Sequence, residues 1–230
     1  VIKKQDSYWI GKVDNKDLSF PISTKSVDSL LEYASNIRNM YKISDSVSRW
    51  EAYGVTDDEG FSILFDGKSS VYFGIEDITG KNIYLRSGIN NTIYKTKNDF
   101  FPFLFALPVS WADMHIFPDI SLSGINSGIA KIELKNEASR VLTGEKIENI
   151  QSSLLETRGG NIIENPLNDT DTVVSEITIS FFDNSKASIT IYKKNRENNE
   201  YYLVPSVFNC NYALEISEWT YQRLLDYFRS

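Results

Sequence analysis

YLRSGINNTIYKTKNDFF, residues 84–101, and YLVPSVFNCNYALEISEW, residues 202–219, are two versions of one pattern. Laid over each other without a gap, they match at Tyr84/Tyr202, Leu85/Leu203, Asn91/Asn209 and Tyr94/Tyr212; Ile89 meets Val207 and Phe101 meets Trp219. Self-similarity at long separation marks a repeated structural unit, so it bears on architecture before any single residue does. The shared residues are aromatic and aliphatic, the kind that hold a sheet against a helix.

Reading outward from the first copy, FSILF (61–65) places Phe61, Ile63 and Phe65 at alternate positions, and Asp66-Gly67 signals a hairpin. SVYFGI (70–75) returns, Thr79-Gly80-Lys81 turns the chain, and NIYLRS (82–87) and TIY (92–94) follow. Asn98 or Asp99 is placed to cap an aromatic helix, FFPFLFAL, with Pro102 in its first turn and Pro108 as its stop. Upstream, Tyr8-Trp9-Ile10 reads as an opening strand, followed by a polar turn and Pro21. Ser26 is then expected to cap a helix whose Val27, Leu30, Leu31, Ala34, Ile37 and Tyr41 share one face.

Around the second copy the same order recurs. IAKIEL (129–134) reads as a strand, and Ile147, Ile150 and Leu154 mark a helix over 144–156. Gly159-Gly160 breaks the chain, and a polar loop runs through Asn165-Pro166 and Asp169 to Asp171. EITISFF (176–182), ASITIYK (187–193), YYLVP (201–205) and NYAL (211–214) read as strands, and a last helix opens at Ser217 with Tyr221, Leu224, Leu225 and Phe228 on one face. The expected fold class is α+β, as two tandem helix–four-stranded antiparallel meander–helix units. The first covers residues 1–122 and the second, diverged, residues 123–230, with a Ser- and Gly-rich seam near Asp119 to Gly128.

The formal net charge of −7 argues against nucleic acid, which needs clustered Lys and Arg for counterion release. The one dense basic run, Lys193-Lys194-Asn195-Arg196, lies between two strands, is followed by Glu197 and Glu200, and reads as a solvated hairpin loop. Basic membrane-surface binding is unexpected for the same reason. Cys210 is the sole cysteine, takes the place of Thr92 in the repeat, and reads as a small buried residue. No run of about 18 apolar residues is present. The start VIKKQDSYW is no signal peptide and is what a protein trimmed of its true N-terminus would show.

Signatures of chemistry are sparse. His115, in WADMHIFP, is the only histidine, no GxSxG elbow surrounds any serine, and a structural histidine is expected. One His and one Cys do not make a zinc site. Asp57-Asp58-Glu59 and Asp169-Thr170-Asp171 lack the calcium-loop spacing and read as solvated loops. GIEDITG (74–80) lacks the strand–loop–helix setting of a phosphate loop. No catalytic residue, cofactor site or metal site is therefore expected. The densest apolar cluster, Phe100, Phe101, Phe103, Phe105 and Trp111, reads as the cover of the first sheet. Its sharper reading is a partner surface using Phe100, Phe103 and Trp111; Tyr221, with Tyr227 and Phe228, offers the same two readings in the second unit.

The order Trp9, helix, Tyr53-Gly54, strand, Gly74, Tyr84-x-Arg86, Tyr94, then Trp111-x-Asp113 resembles the bacterial domain of unknown function DUF4340 over about residues 5 to 135. The second unit keeps Tyr192, Tyr202 and Tyr212, but Val204 stands where the first has Arg86 and Tyr192 where it has Gly74. The resemblance implies an exported protein, held by an N-terminal membrane helix, encoded beside ABC transporter components similar to the gliding-motility type. It implies no catalytic residue. The leading expectation is a non-catalytic extracytoplasmic accessory domain whose partners are membrane transporter subunits. The alternatives are a small-ligand or glycan binding protein using a Tyr- and Trp-lined cleft between two lobes, and a carboxylate hydrolase.

Overall fold

The computed structural model describes residues 1–5, 8–14, 16–35, 37, 39–59, 61–104, 107–118, 128–164, 171–194, 200–206 and 210–229. The expected seam (119–127), Phe105, the Asn165-Pro166 loop, Asp169-Thr170 and Asn195-Arg196 lie outside them. The tandem helix–meander–helix arrangement does not describe this protein. It is mostly β: among the described residues, fifteen strands form sheets of three, seven and five. Contacts divide the chain into one unit made of Val1–Val27 with Leu107–Ser230 and another made of Asp28–Ala106.

The first unit holds two sheets. β1 (Ile2–Gln5), β2 (Tyr8–Val13) and β3 (Leu18–Ile22) form an antiparallel meander in which Pro21 sits within a strand opposite Ile10. The seven-stranded sheet runs β10-β9-β12-β13-β14-β15-β11, from β9 (Ile129–Lys135), β10 (Ser139–Leu142), β11 (Asn161–Ile163), β12 (Thr172–Phe181), β13 (Lys186–Lys194), β14 (Glu200–Pro205) and β15 (Ala213–Ile216). Antiparallel register lines up aliphatic side chains across it. Leu134, Ile177, Ile189 and Pro205 make one row; Ile191, Leu203, Leu214 and Ile162 make the next. Nearly all of these are fully buried and join one core with Ile147 and Leu154 of the helix Glu145–Leu155 (α4) and Tyr221 and Leu224 of the helix Glu218–Asp226 (α5). Leu18, Phe20 and Ile22 of β3 belong to the same core.

The other unit is built on one sheet, ordered β4-β8-β7-β6-β5, from β4 (Tyr41–Ser44), β5 (Phe61–Phe65), β6 (Ser69–Glu76), β7 (Asn82–Ser87) and β8 (Ile93–Lys97). Asp66 and Gly67 both have positive φ, 49° and 65°, and the Lys68 N–H donates to Phe65 O. That is the type I′ turn expected of Asp-Gly. One face packs Phe73, Ile83, Leu85 and Phe100 with Leu30, Ala34 and Ile37.

The missed elements have a common cause. β1 (IKKQ), β4 (YKIS), β10 (SRVL) and β11 (NII) are short or polar and carry no alternation of their own; neighbouring strands recruit them by backbone hydrogen bonding. The helix expected from Ser26 to Tyr41 spans Thr24–Ser35 (α1), and Tyr41 pairs instead with Lys95 of β8. Of the aromatic helix, Phe101–Leu104 (α2) is helical among the described residues, and Pro108, expected as its stop, opens a separate turn, Pro108–Trp111 (α3). No helix among the described residues is long and apolar enough to cross a membrane.

Ser217 caps α5 as expected, its Oγ accepting from Thr220 N at 3.1 Å. Replacing a cap hydroxyl costs about 1 kcal/mol. Ser217→Ala should lower unfolding free energy by that amount in denaturant titration, and Ser217→Asp should restore it.

Candidate functional site

Five of the residues that carried the resemblance, Tyr53, Gly54, Gly74, Tyr84 and Arg86, lie on or beside β7. Alternation along this strand sends Ile83 and Leu85 to one face and Tyr84 and Arg86 to the other. Arg86 is only 3% exposed. Its guanidinium lies between the rings of Trp50 and Tyr72, 3.9 Å from each centroid. Nε donates to Val55 O at 2.8 Å, and Nη2 forms an ion pair with Asp57.

Residues 46–57 form the strap that supplies Trp50, Val55 and Asp57, while Tyr72 comes from β6. Two 3-10 turns, Val47–Arg49 and Glu51–Tyr53, lead to Gly54, whose φ of 64° reverses the chain. Trp50 Nε1 donates to Asn91 O at 3.2 Å. Val55 is fully buried, and Tyr53 packs on Tyr84 with ring centroids 4.6 Å apart. The strap passes so close to β6 that a Cβ on Gly74 would stand 1.9 Å from Tyr53 O. Glycine at 54 and at 74 is thus required by two different constraints, a left-handed φ and a close approach. With its guanidinium against the Trp50 and Tyr72 rings and two nitrogens bonded, Arg86 fastens the strap to the sheet.

The second copy solves the same problem without a strap. Tyr192 stands where Gly74 does and stacks on Tyr202, the counterpart of Tyr84, at 5.2 Å. The tyrosine partner comes from the neighbouring strand, so neither the glycine nor the arginine is needed. Tyr202 donates its OH to Asp171 at 2.8 Å, and burial with that carboxylate raises its pKa.

Asp113 and His115 form a second constellation, in the other unit. Asp113 is buried; its Oδ1 lies 2.5 Å from His115 Nδ1 and also accepts from His115 N. The Asp113 N–H donates to Pro21 O, and His115 bridges to Arg158, so the pair holds residues 112–115 between β3 and the segment after α4. His115 Nε2 is 3.9 Å from the exposed Glu156 carboxylate. Among the described residues no hydroxyl or thiol is hydrogen-bonded to this ring; its two side-chain neighbours are carboxylates. A surface depression of about 450 Å³ nearby is lined by Glu148, Gln151, Ser152, Leu155 and Glu156. All five come from α4 and the residue that ends it, so no opposing wall converges on a ligand. Among the described residues there is no cluster of three or more metal-ligating side chains.

The four residues expected on a partner surface are divided between the two units, Phe100 and Phe103 in one, Trp111 and Tyr221 in the other. Phe100 is buried against Phe73, at 5.0 Å between centroids, and Phe103 packs on Tyr33. In the other unit Trp111 packs half-buried on the core, and Tyr221 is buried with its OH on Ser175. Phe100 and Tyr221 are therefore core rather than surface, because each sits where its sheet needs cover. Cys210 is half-buried, and burial pushes its thiol up to about 11, which leaves it unreactive.

Sequence reasoning gave no role to Asp77. Its carboxylate accepts from Lys95 Nζ at 2.9 Å, Thr79 Oγ1 at 2.7 Å, Thr79 N at 3.1 Å and Asn82 Nδ2 at 2.7 Å, closing the β6–β7 turn. The Lys95 ammonium, with Thr79 and Asn82, holds its pKa well below the ordinary value of 3.8.

The family described as a domain of unknown function (DUF4340) matches residues 15–180, and the chain belongs to it. Of the positions that carried the resemblance, Trp9 lies outside that span and the others within it. No curated protein and no solved structure matches the chain.

Two outcomes test this geometry. Arg86→Ala should cost about 3 kcal/mol in denaturant unfolding, from two desolvated cation–π contacts and a lost hydrogen bond. Arg86→Lys should recover less than half, because an ammonium has no planar fork to stack and bond at once. A carboxyl whose folded pKa is depressed stabilises the fold above its unfolded pKa, and that contribution is lost as pH falls. Asp77→Asn should therefore lower the Tm at neutral pH, and the gap to the parent should close as pH drops below 3.8 toward the depressed value.

Proposed function

We propose that this DUF4340 protein is a non-catalytic interaction module that works outside the cytoplasm beside an ABC-type transporter, with the transporter's membrane subunits as partners. The single observation that carries the non-catalytic part is how the family-marked residues are used. Arg86, Gly54, Gly74, Tyr53 and Tyr84 are all committed to fastening one strap to one sheet. A buried, hydrogen-bonded arginine and two glycines offer a substrate little chemistry. The Asp113–His115 pair points the same way, since its ring meets a carboxylate where a nucleophile would stand. Transporter association and the extracytoplasmic setting rest on the likeness to proteins encoded beside such transporters. A small-ligand role finds no support in the one-walled depression on α4.

Crosslinking in native cells followed by affinity capture of the full-length protein tests the partner. Recovery of ABC transporter membrane subunits is expected; capture that repeatedly lacks any transporter subunit defeats the reading. For the non-catalytic part, His115→Gln should leave cellular function intact wherever the fold is intact. A loss of function with an unchanged Tm would instead assign the imidazole a chemical role.

A further inference from the structure

The seven-stranded sheet has a second face, opposite its core. Along β12, alternation sends Ile177 and Ile179 into the core and Glu176, Thr178 and Ser180 the other way. Antiparallel register lays polar rows across that second face. Lys135, Glu176 and Thr190 make one; Glu133, Thr178 and Ser188 make the next; Lys131, Ser180 and Lys186 make the last.

Ser180 is the anomaly in this grid. It is 7% exposed, and among the described residues no group hydrogen-bonds its Oγ. A buried hydroxyl without a protein partner is uncommon, and a bound ion or water is the ordinary way to satisfy one. Its neighbours say which. Lys131 and Lys186 stand directly opposite Ser180 on the two flanking strands. Two strand spacings put their Cα atoms about 10 Å apart. Two flexible four-carbon stems span that gap, so both ammoniums can meet above the hydroxyl.

The charge here is locally positive, although the chain as a whole carries −7. Lys131 pairs with Glu133 at 2.7 Å and Lys135 with Glu176 at 3.7 Å, while Lys186 forms no ion pair among the described residues. Glu133 registers that field. The hydrogen bond from Lys131, and then the charges of Lys131, Lys135 and Lys186, hold its pKa below the ordinary 4.5.

We propose that Lys131, Ser180 and Lys186 form a binding site for a tetrahedral oxyanion, a phosphate or sulfate group. Separate oxygens of the ion accept from each ammonium and from the Ser180 hydroxyl, in short charge-assisted hydrogen bonds. A planar carboxylate has only two oxygens and leaves one of the three donors unmet. Glu133 competes with the ion for Lys131, so the free ion binds weakly, with a Kd of roughly 1–10 mM.

Backbone NMR shifts of the purified chain test the site apart from the proposed function. Inorganic phosphate is titrated against chloride at constant ionic strength, which removes plain screening. The amides of Lys131, Ser180 and Lys186 should move together and saturate, sulfate should move the same set, and acetate should bind at least ~10-fold more weakly. Lys186→Gln should weaken phosphate by at least ~10-fold with no change in Tm, while Lys68→Gln, in the other unit, should leave binding unchanged. Glu133→Gln should tighten it about 3-fold by releasing Lys131. Ser180→Ala should weaken phosphate about 3-fold without lowering the Tm, since it removes a hydroxyl that the fold does not bond. Capture by vesicles carrying phosphatidic acid, if it needs Lys186, assigns the phosphate to a lipid headgroup; phosphate binding without such capture assigns it to a soluble compound. Absence of a saturable shift overturns the inference. So do shifts that Lys186→Gln leaves intact, which mean an adventitious ion only, and a Ser180→Ala variant that loses Tm but keeps its affinity, which gives the hydroxyl a structural role instead.

Discussion

A guanidinium that cannot lose its charge is buried in the five-stranded sheet, and much of that unit follows from housing it. Arg86 needs hydrogen-bond acceptors and polarisable faces, because an unpaired buried cation costs several kcal/mol. Val55 O, Asp57, Trp50 and Tyr72 meet the need, and three of the four sit on the strap of residues 46–57. The strap can reach them only by reversing at Gly54 and brushing β6 at Gly74. One charge therefore explains two glycines, two rings and the cover over the sheet's second face.

The seven-stranded sheet is organised by a different constraint. Its rows of Ile, Leu and Ala carry no obligatory charge, and antiparallel register alone aligns them against α4, α5 and β3. Val204 and Tyr192 are what the same sheet position looks like when no strap must be fastened. Divergence between the copies thus has a physical meaning: strap, glycine and arginine stand or fall together.

Legibility from sequence followed the strength of the local signal. Asp66-Gly67 was readable because only a type I′ turn brings both residues to positive φ between two alternating strands. Ser217 was readable because a cap precedes an apolar face. Tyr41 misled because its spacing continued a helical face, yet residues 41–44 gain more by pairing with β8. Phe100 and Tyr221 misled in another way, since an aromatic reads the same in a hydrophobic core and on a binding face. Arg86 was visible as a marked position, but nothing in Tyr-x-Arg says that the charge turns inward.

What the sequence by itself determined is local: the alternating strands, their tight turns, the capped helices, and a repeated tyrosine-marked hairpin whose periodicity is written in neighbouring residues. The tertiary structure alone decided which polar segments joined the sheets and that a middle stretch folds as its own unit. Those outcomes depend on backbone groups finding partners far away in the chain, and every residue carries the same N–H and C=O. Side-chain pattern does not encode that choice; the competition for hydrogen-bond partners across the folded chain makes it.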